Sequence, residues 1–320
     1  MSDEHADVTF LQRLQYLVLR LVIAFFLAPT WRVSRSMARI LGDLVRMVDR
    51  PSRKKRMLRN LRLAFPGISK GHARRIIKKA YRSLVESIFD ALYFSRFVME
   101  GRAAELVHLE GEELLGDVDE GTGIVFATAH YGCWEVLGLS CKSLGFPVLS
   151  VARERSNPLL EKYLSRIRES AGQKLVPKHG AIRKTLKALR NGRNVAVLID
   201  QDARKEGIFV DFFGRPACTH TSAARLAIAT ASPVVFIYAE RIEEMNKFRA
   251  VISDVIWPKA DAEREAEIRR ITQRLTSDVE DLVRRNPGKW LWMHRRWKTY
   301  PGKYDSDKGR GPHGRQAVMS

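Results

Sequence analysis

The sequence contains few cysteines and lacks the common motifs of nucleotide-binding and zinc-binding sites. Its three cysteines, Cys133, Cys141 and Cys218, form no Cys-x-x-Cys pair and no even-numbered set. This excludes a zinc ribbon and a disulfide framework and indicates a reducing compartment. No Gly-x-x-x-x-Gly-Lys-Ser/Thr and no His-Glu-x-x-His occurs, so neither the common phosphate-binding loop nor the helical zinc site of metalloproteases is expected.

The apolar stretch at 10–31 lacks an uncharged run of membrane-spanning length. Arg13 and Arg20 interrupt it, and its longest uncharged run, 21–31, has eleven residues. A bilayer core requires roughly 20. The acidic start of the chain is also unlike a secretory signal. We expect an anchor helix that is embedded in the membrane or lies on it, with a buried core helix as the alternative.

Acidic residues are absent from 51–82, although twelve Lys and Arg residues occur there. Apolar residues recur at helical spacing, as at Met57, Leu61 and Ala64, which predicts amphipathic helices. The whole chain carries a net charge of +20, so densely negative partners are attracted to it. A basic helical surface beside an apolar anchor indicates docking to anionic lipid, with a solvated charged face as the alternative.

From residue 119 the pattern changes to alternating strands and helices. Strands are predicted at 123–129, 147–152, 195–200 and 233–239, and helices at 134–144, 158–171, 182–191, 220–231 and 261–285. This predicts an α/β fold with a mixed sheet, substantially parallel, and helices on both faces. Ligands should bind beyond the carboxyl ends of the strands. His130 directly follows one predicted strand and Asp200 ends another.

The chain is accordingly divided into four parts. We expect a membrane-anchor helix in residues 1–35, a basic helical region in 36–118, an α/β core in 119–301 and a polar, disordered tail in 302–320.

The candidate catalytic motif is His130-Tyr-Gly-Cys-Trp-Glu135. On a continuous helix this spacing rotates the two outer side chains about 140° apart. At a strand-to-helix corner, with Gly132 permitting a tight path, they can meet. A carboxylate bonded to one imidazole nitrogen makes the other nitrogen a general base toward a hydroxyl. We predict His130 as the base and Glu135 as its partner; a structural histidine beside a helix-capping glutamate is the alternative.

Cys133 lies inside the same motif. A Cys-His nucleophile is therefore a second possibility, and a small buried cysteine is the simpler one.

Several motifs follow one another along the chain. They are Asn60-Leu61 with Ala64-Phe65-Pro66, the motif at 130–135, Arg153-x-x-x-Asn157-Pro158, Asp200-Gln201-Asp202, the segment 210–219, and Trp290-x-Trp292-x-His294-Arg-Arg-Trp-Lys298. In this order they resemble the bacterial lipid A biosynthesis acyltransferase family, the lauroyl and myristoyl transferases of the lysophospholipid acyltransferase superfamily. The resemblance covers nearly the whole chain from the anchor to Pro301.

The resemblance implies transfer of a fatty acyl chain from acyl carrier protein, or from acyl-CoA, to a hydroxyl of a phosphorylated lipid A precursor. It implies the cytoplasmic face of the inner membrane as the place, and anionic lipid rather than nucleic acid as the surface partner. By position it gives His130 the role of base and Glu135 that of its partner. Arg168 would lie near the reacting centre and Asp200 would line the site. For the oxyanion we expect either backbone amides at the corner or a nearby arginine, Arg153 or Arg168, as the stabilising group. No metal or diffusible cofactor is required.

Two aromatic segments are further candidates for substrate binding. Phe213 and Gly214 could line an acyl groove, with core packing as the alternative. Arg295 and Arg296 belong to 290–298, where rings and cations alternate. Such alternation suits an interfacial belt that grips phosphates, with packing at a helix end as the alternative.

Two rival functions stay open at this level. One is acylation of another glycolipid or of a lysophospholipid. The other is a non-enzymatic basic protein that binds membrane or nucleic acid through 51–82. Its binding would fall steeply with salt and would not depend on His130.

Overall fold

The computed structural model describes residues 8–28, 30–152, 157–177, 180–242 and 246–302. The N-terminal helices are α1 (Phe10–Leu27), α2 (Trp31–Val48), α3 (Pro51–Ala64) and α4 (Lys70–Met99). Later helices are α5 (Trp134–Leu139), α6 (Pro158–Ser170), α7 (Ala181–Arg190), α8 (Ser222–Thr230) and α9 (Arg264–Arg285). The strands are β1 (Val107–Glu110), β2 (Val125–Thr128), β3 (Val148–Ala152), β4 (Gln173–Pro177), β5 (Asn194–Leu198), β6 (Ile208–Asp211), β7 (Pro216–Thr219), β8 (Val234–Ile242) and β9 (Lys247–Ile256).

The central sheet has seven strands in the order β1-β9-β8-β2-β5-β3-β4. From β8 to β4 neighbouring strands are parallel, whereas β9 runs antiparallel to β8 and β1 runs parallel to β9. Strands β6 and β7 form a separate antiparallel hairpin. The predicted mixed, largely parallel sheet is confirmed.

Helices cover both faces of the sheet because successive strand residues point to opposite sides. Val125 and Ala127 pack in one cluster with buried residues of α8 and α9, such as Leu275. Phe126 lies in a second cluster with residues of α5 and α6, such as Val136. Helix α4 contributes its first half to one cluster and Phe94 to the other. The α/β core therefore packs directly against the N-terminal helices.

Helix α1 begins with a capping box in which Thr9 and Gln12 bond each other's backbone N–H groups. Within the part of the chain that the structure describes, no helix is both long and apolar enough to cross a membrane. Large apolar side chains of α1 nevertheless lie in solvent, with Phe10 exposed at 81% and Leu21 at 70%.

Several predicted elements differ in extent from the observed ones. Helix α5 ends at Leu139, where the sequence predicted Leu144, because the Ser140 N–H and hydroxyl both turn back to the Leu137 carbonyl. Strand β4 escaped prediction because it begins with polar residues and ends in Pro177; proline is tolerated there because β4 is the sheet edge. Strand β1 belongs to the region predicted as helical, yet it extends the sheet beside β9. Residues 303–320, nearly all of the predicted disordered tail, lie outside the described residues.

Candidate active site

The site forms where β2 and β5 end side by side. Their parallel register pairs Val125 with Val195 and Thr128 with Leu198. The same offset, continued beyond both strands, brings His130 beside Asp200. The His130 backbone N–H donates to Asp200 Oδ2 at 3.0 Å, and its ring Nδ1 lies 2.8 Å from Asp200 Oδ1. The expectation that both residues lie at the carboxyl edge of the sheet is met.

Gly132 makes the turn between His130 and α5 possible. Its φ is +57°, and an added Cβ would stand 2.4 Å from the Ala239 carbonyl oxygen. The next residue, Cys133, donates its N–H to that same oxygen at 3.0 Å. The tight path that the sequence predicted here thus depends on glycine for both conformation and space.

Asp200 is buried and its carboxylate accepts three hydrogen bonds, the third from Trp290 Nε1 at 2.9 Å. Burial alone would raise the pKa of Asp200, but the charge and hydrogen bond of His130 outweigh it and hold that pKa well below its usual value. Burial lowers the pKa of His130, but the charge and hydrogen bond of Asp200, together with the charge of Glu135, outweigh it, so the net shift is upward. With Nδ1–H donating to the carboxylate, Nε2 carries the lone pair of a general base.

The hydrogen bond predicted for Glu135 is made by Asp200. Glu135 lies in the first turn of α5, and among the described residues it makes no hydrogen bond to His130. It acts on His130 through its charge, which raises the His130 pKa less than Asp200 does. The predicted pairing was therefore wrong in geometry, because the register of β5 delivers a carboxylate closer to Nδ1 than the helix does. A catalytic contribution of Glu135 stays a prediction.

The C-terminal segment completes the site. The Gly132 N–H donates to the Lys289 carbonyl and the Leu291 N–H to the His130 carbonyl, both at 3.1 Å. This pairing brings the His294 ring to a centroid distance of 4.7 Å from the His130 ring. Gln201 lies between them, its amide Nε2 3.4 Å from Nε2 of each imidazole. Burial lowers the pKa of His294 to about 4, so this second imidazole is neutral near pH 7.

Of the two arginines predicted to stabilise the oxyanion, only Arg168 lies within the described residues. Arg153 lies outside the described residues. Arg168 is in the last turn of α6, and within the described chain it makes no hydrogen bond or ion pair with His130, Glu135 or Asp200. No contact among the described residues supports the implied position of Arg168 near the reacting centre.

The packing alternative describes Phe213 better than an acyl groove. Phe213 is 5% exposed and packs edge-on against Phe65 and Phe212. Gly214, at φ +68°, serves the turn of the β6–β7 hairpin. The burial of Phe213 contradicts its place in a groove, because its ring is already packed inside the core, whereas a substrate contact of the exposed Gly214 stays a prediction.

The aromatic-basic segment 290–298 is also mostly interior. Trp290, Trp292 and Arg296 are all at most 1% exposed. The Arg296 guanidinium donates to the Cys218 carbonyl and the Thr219 hydroxyl, and burial lowers its pKa to about 10. The predicted belt is therefore wrong for these residues, and Arg296 holds the hairpin instead of a substrate phosphate.

Arg295 is the exposed cation of this segment. It lies near Arg56, whose pKa is lowered by burial and by the charges of Arg295, Arg53 and Arg59. Arg56 also donates to the Met293 carbonyl. A cluster of like charges is thus held beside the segment that carries His294.

Neither alternative nucleophile is supported by the geometry. Cys133 is buried, which raises the pKa of its thiol to about 12 and keeps it protonated.

The string Gly67-Ile68-Ser69-Lys70-Gly71 has the Gly-x-Ser-x-Gly form of a nucleophile elbow. It follows a helix rather than a strand, and Ser69 caps α4 by accepting from the His72 N–H. In the described residues no cluster of three or more His, Cys, Asp or Glu is arranged for a metal ion.

Sequence reasoning missed Gln201, His294 and the Trp290 indole as parts of the site. Gln201 could have been found, because it follows Asp200 at a strand end. His294 does not follow a predicted strand. It lies 164 residues after His130 in the sequence, and only the folding of the C-terminal segment brings the two rings together.

Comparison with known proteins assigns the chain to a family. The sequence model of the family described as bacterial lipid A biosynthesis acyltransferase matches residues 6–299. A lipid A biosynthesis acyltransferase of Haemophilus influenzae is 27% identical over 76% of each chain. A lipid A biosynthesis palmitoleoyltransferase of Escherichia coli is 24% identical over 82% of this chain and 85% of its own.

Two more distant similarities were found. A phosphatidylinositol mannoside acyltransferase of Mycobacterium tuberculosis is 26% identical over 55% of each chain. The crystal structure of a 1-acyl-sn-glycerophosphate acyltransferase from Thermotoga maritima is 14% identical, with a TM-score of 0.38 over 78% of this chain and 97% of the other. The assignment rests on the family match and the sequence relatives.

Proposed function

The chain belongs to the bacterial lipid A biosynthesis acyltransferase family, and from that membership we propose that it acylates a hydroxyl of a lipid A precursor in lipopolysaccharide biosynthesis. The donor is the thioester of acyl carrier protein or of coenzyme A. The prediction of an O-acyltransferase of this family is confirmed by the match over 6–299. The observation that carries the mechanism is the His130–Asp200 pair, which leaves Nε2 of His130 as the base.

The proposed step needs only side chains of this protein. His130 Nε2 takes the proton of the acceptor hydroxyl while its oxygen bonds to the thioester carbonyl carbon. The carbon–sulfur bond then breaks, and the thiolate leaves with the proton returned by His130. Asp200 holds the ring, and we propose that Glu135 adds negative charge that favours the imidazolium.

Charge supports a phosphorylated acceptor and an acidic carrier. Arg53, Arg59 and Arg295 each lower the pKa of Arg56 beside the segment that bears His294, and Asp49, which is ion-paired with Arg53, offsets part of this effect. A cluster of this kind is stabilised when a phosphate binds, because arginine pairs with phosphate oxygens through two N–H groups. The net charge of +20 favours approach of such partners.

We propose an inner-membrane location with the catalytic domain facing the cytoplasm, and the exposed apolar side chains of the first two helices support contact with a lipid surface. Leu14, Leu17 and Leu21 lie on one face of α1 and are 45%, 57% and 70% exposed. On α2, Ile40 and Met47 are exposed at 62% and 65%. We propose that α1 lies in the interface with this face toward lipid, and that basic residues nearby add about 1 kcal/mol each on anionic lipid.

The test is acyl transfer by the purified protein. Phosphorylated and dephosphorylated lipid A precursors are offered with acyl carrier protein and CoA thioesters of one chain length, and products are weighed by mass spectrometry. We expect a gain of one acyl mass on the phosphorylated acceptor, and none with His130→Ala. Full transfer by His130→Ala would contradict the mechanism.

A second candidate acceptor is a mannosylated phosphatidylinositol, because three relatives carry the corresponding name. It belongs in the same assay, together with a lysophospholipid. Acylation of either one, without acylation of a lipid A precursor, would replace the first proposal. A non-enzymatic basic protein would instead bind vesicles with steep salt dependence and transfer nothing to any acceptor.

A further inference from the structure

The base nitrogen of His130 faces a side-chain amide in this structure. The Gln201 amide nitrogen stands 3.4 Å from it and 3.4 Å from Nε2 of His294. An amide NH₂ group only donates hydrogen bonds, and it has two hydrogens. Each of these two hydrogens can therefore be donated to one imidazole, provided that both Nε2 atoms carry a lone pair.

Both imidazoles can meet that condition. Nδ1–H of His130 is committed to Asp200, which leaves Nε2 as the acceptor. Burial lowers the pKa of His294, so near pH 7 this ring is neutral and has one lone-pair nitrogen, which the contact to the Gln201 amide assigns to Nε2. The charged groups that act on the pair are Asp200 and Glu135 on His130, and Asp200 and His130 on His294. The shared amide is thus consistent with the tautomer that general-base chemistry requires.

The backbone around His294 is held in place by hydrogen bonds. Asn60 of α3 is 1% exposed and donates to the carbonyls of His294 at 2.8 Å and of Trp292 at 3.1 Å. The Leu291 N–H bonds to the His130 carbonyl. His294 is therefore fixed relative to the base by backbone contacts, while its ring makes the contact to Gln201.

Building on the acyl transfer proposed above, we propose that Gln201 is the oxyanion donor of the reaction and that His294 is the residue that positions it. The acceptor hydroxyl must displace the amide from His130 Nε2, and contacts of 3.4 Å are long for hydrogen bonds and readily given up. One N–H then stays on His294. The other N–H is released beside the reacting oxygen, within reach of the carbonyl oxygen that becomes negative in the tetrahedral intermediate.

The central test compares Gln201→Ala with the wild type in steady-state acyl transfer. Since an oxyanion donor acts in the transition state, we expect kcat to fall by about 10² to 10³-fold with KM little changed. Gln201→Glu keeps the shape but cannot donate, so it should be at least as slow. A kcat for Gln201→Ala within about threefold of wild type would overturn the proposal.

His294 is tested by a pair of variants. His294→Ala leaves the amide without its anchor and should lower kcat, whereas His294→Gln can accept the same N–H through its side-chain oxygen and should restore much of it. A purely structural role predicts that both variants are equally impaired. Equal loss in both, with both folded by thermal unfolding, would refute the positioning role.

A readout independent of activity separates this inference from the proposed function. An N–H donated to His130 Nε2 favours its neutral form, so removing Gln201 should raise the His130 pKa in an NMR titration of the histidine rings. An unchanged titration in Gln201→Ala would contradict the shared amide. A wild-type protein that transfers no acyl group to any acceptor would contradict the proposed function instead, whatever the titration shows.

Discussion

Replacing Asp200 with Asn gives the sharpest test of how His130 is activated. The substitution keeps the size of the side chain and removes its charge. It also replaces one acceptor oxygen with an NH₂ group that meets donors, because the carboxylate accepts from the His130 backbone N–H, from His130 Nδ1–H and from Trp290 Nε1–H. One of these donors must lose its partner.

The magnitude follows from the tautomer. If the new amide donates to Nδ1, the imidazole proton moves to Nε2 and the base is lost. A change of this kind costs about 10⁴-fold in kcat in serine proteases, and a general base is typically worth about 10² to 10⁴. Asp200 also raises the pKa of His130, so its removal lowers that pKa. The acid limb of kcat/KM should therefore move to lower pH while the rate falls.

The assay is the pH profile of acyl transfer, with Glu135→Gln as the matched control. Both variants exchange a carboxylate for an amide in the same site, but only Asp200 is hydrogen-bonded to His130. We expect Glu135→Gln to move the acid limb in the same direction by a smaller amount and to lose less kcat. Thermal unfolding shows whether each variant is folded.

A reversed order would refute the reasoning. If folded Asp200→Asn transfers acyl groups at the wild-type rate while Glu135→Gln is inactive, then Glu135 orients the base during catalysis. The corner would then have to rearrange when substrate binds.

The remaining predictions concern stability and reactivity. Gly132→Ala should lower the free energy of unfolding in urea by about 2–5 kcal/mol, because the cost of the left-handed backbone, about 1–2 kcal/mol, is joined by about 1–3 kcal/mol for the clash of its Cβ with the Ala239 carbonyl. The control Gly121→Ala has positive φ but open space and should lose only about 1–2 kcal/mol; equal losses would contradict the steric argument. Arg296→Lys should be destabilised by about 1–3 kcal/mol, because one ammonium nitrogen cannot occupy both positions from which the two guanidinium nitrogens donate to Cys218 and Thr219. The free energy of unfolding of Arg295→Ala should stay within about 0.5 kcal/mol of wild type, while its KM for a phosphorylated acceptor should rise. A destabilised Arg295→Ala with unchanged KM, beside a stable Arg296→Lys with raised KM, would contradict the roles given to the two arginines. Cys133→Ala should keep wild-type kcat, and the native thiol should resist iodoacetamide at about pH 8 because its pKa is raised to about 12; loss of kcat in a folded variant would reopen the nucleophile.

Much of the α/β core could be predicted from local pattern. The buried strands around Val125 and Val195 and the helices between them leave a periodicity in the sequence. The glycine at 132 was recognisable because a strand-to-helix corner requires a tight turn. Strands β1 and β9 were missed, since an edge of mixed polarity carries little signal of its own and gains its stability from pairing with β8.

His130 was within reach of the sequence because it follows a strand, and the family was recognisable from motifs in their order. The carboxylate that holds the histidine was not. Glu135 is five residues from His130 and Asp200 is seventy, yet the parallel register of β2 and β5 brings the distant one to 2.8 Å. The sequence by itself determined the family and the turn at Gly132, and it singled out His130 as the candidate base. Only the tertiary structure decided which carboxylate and which amide surround the imidazole and which arginines face inward, because those contacts depend on strand register and on the packing of the C-terminal segment.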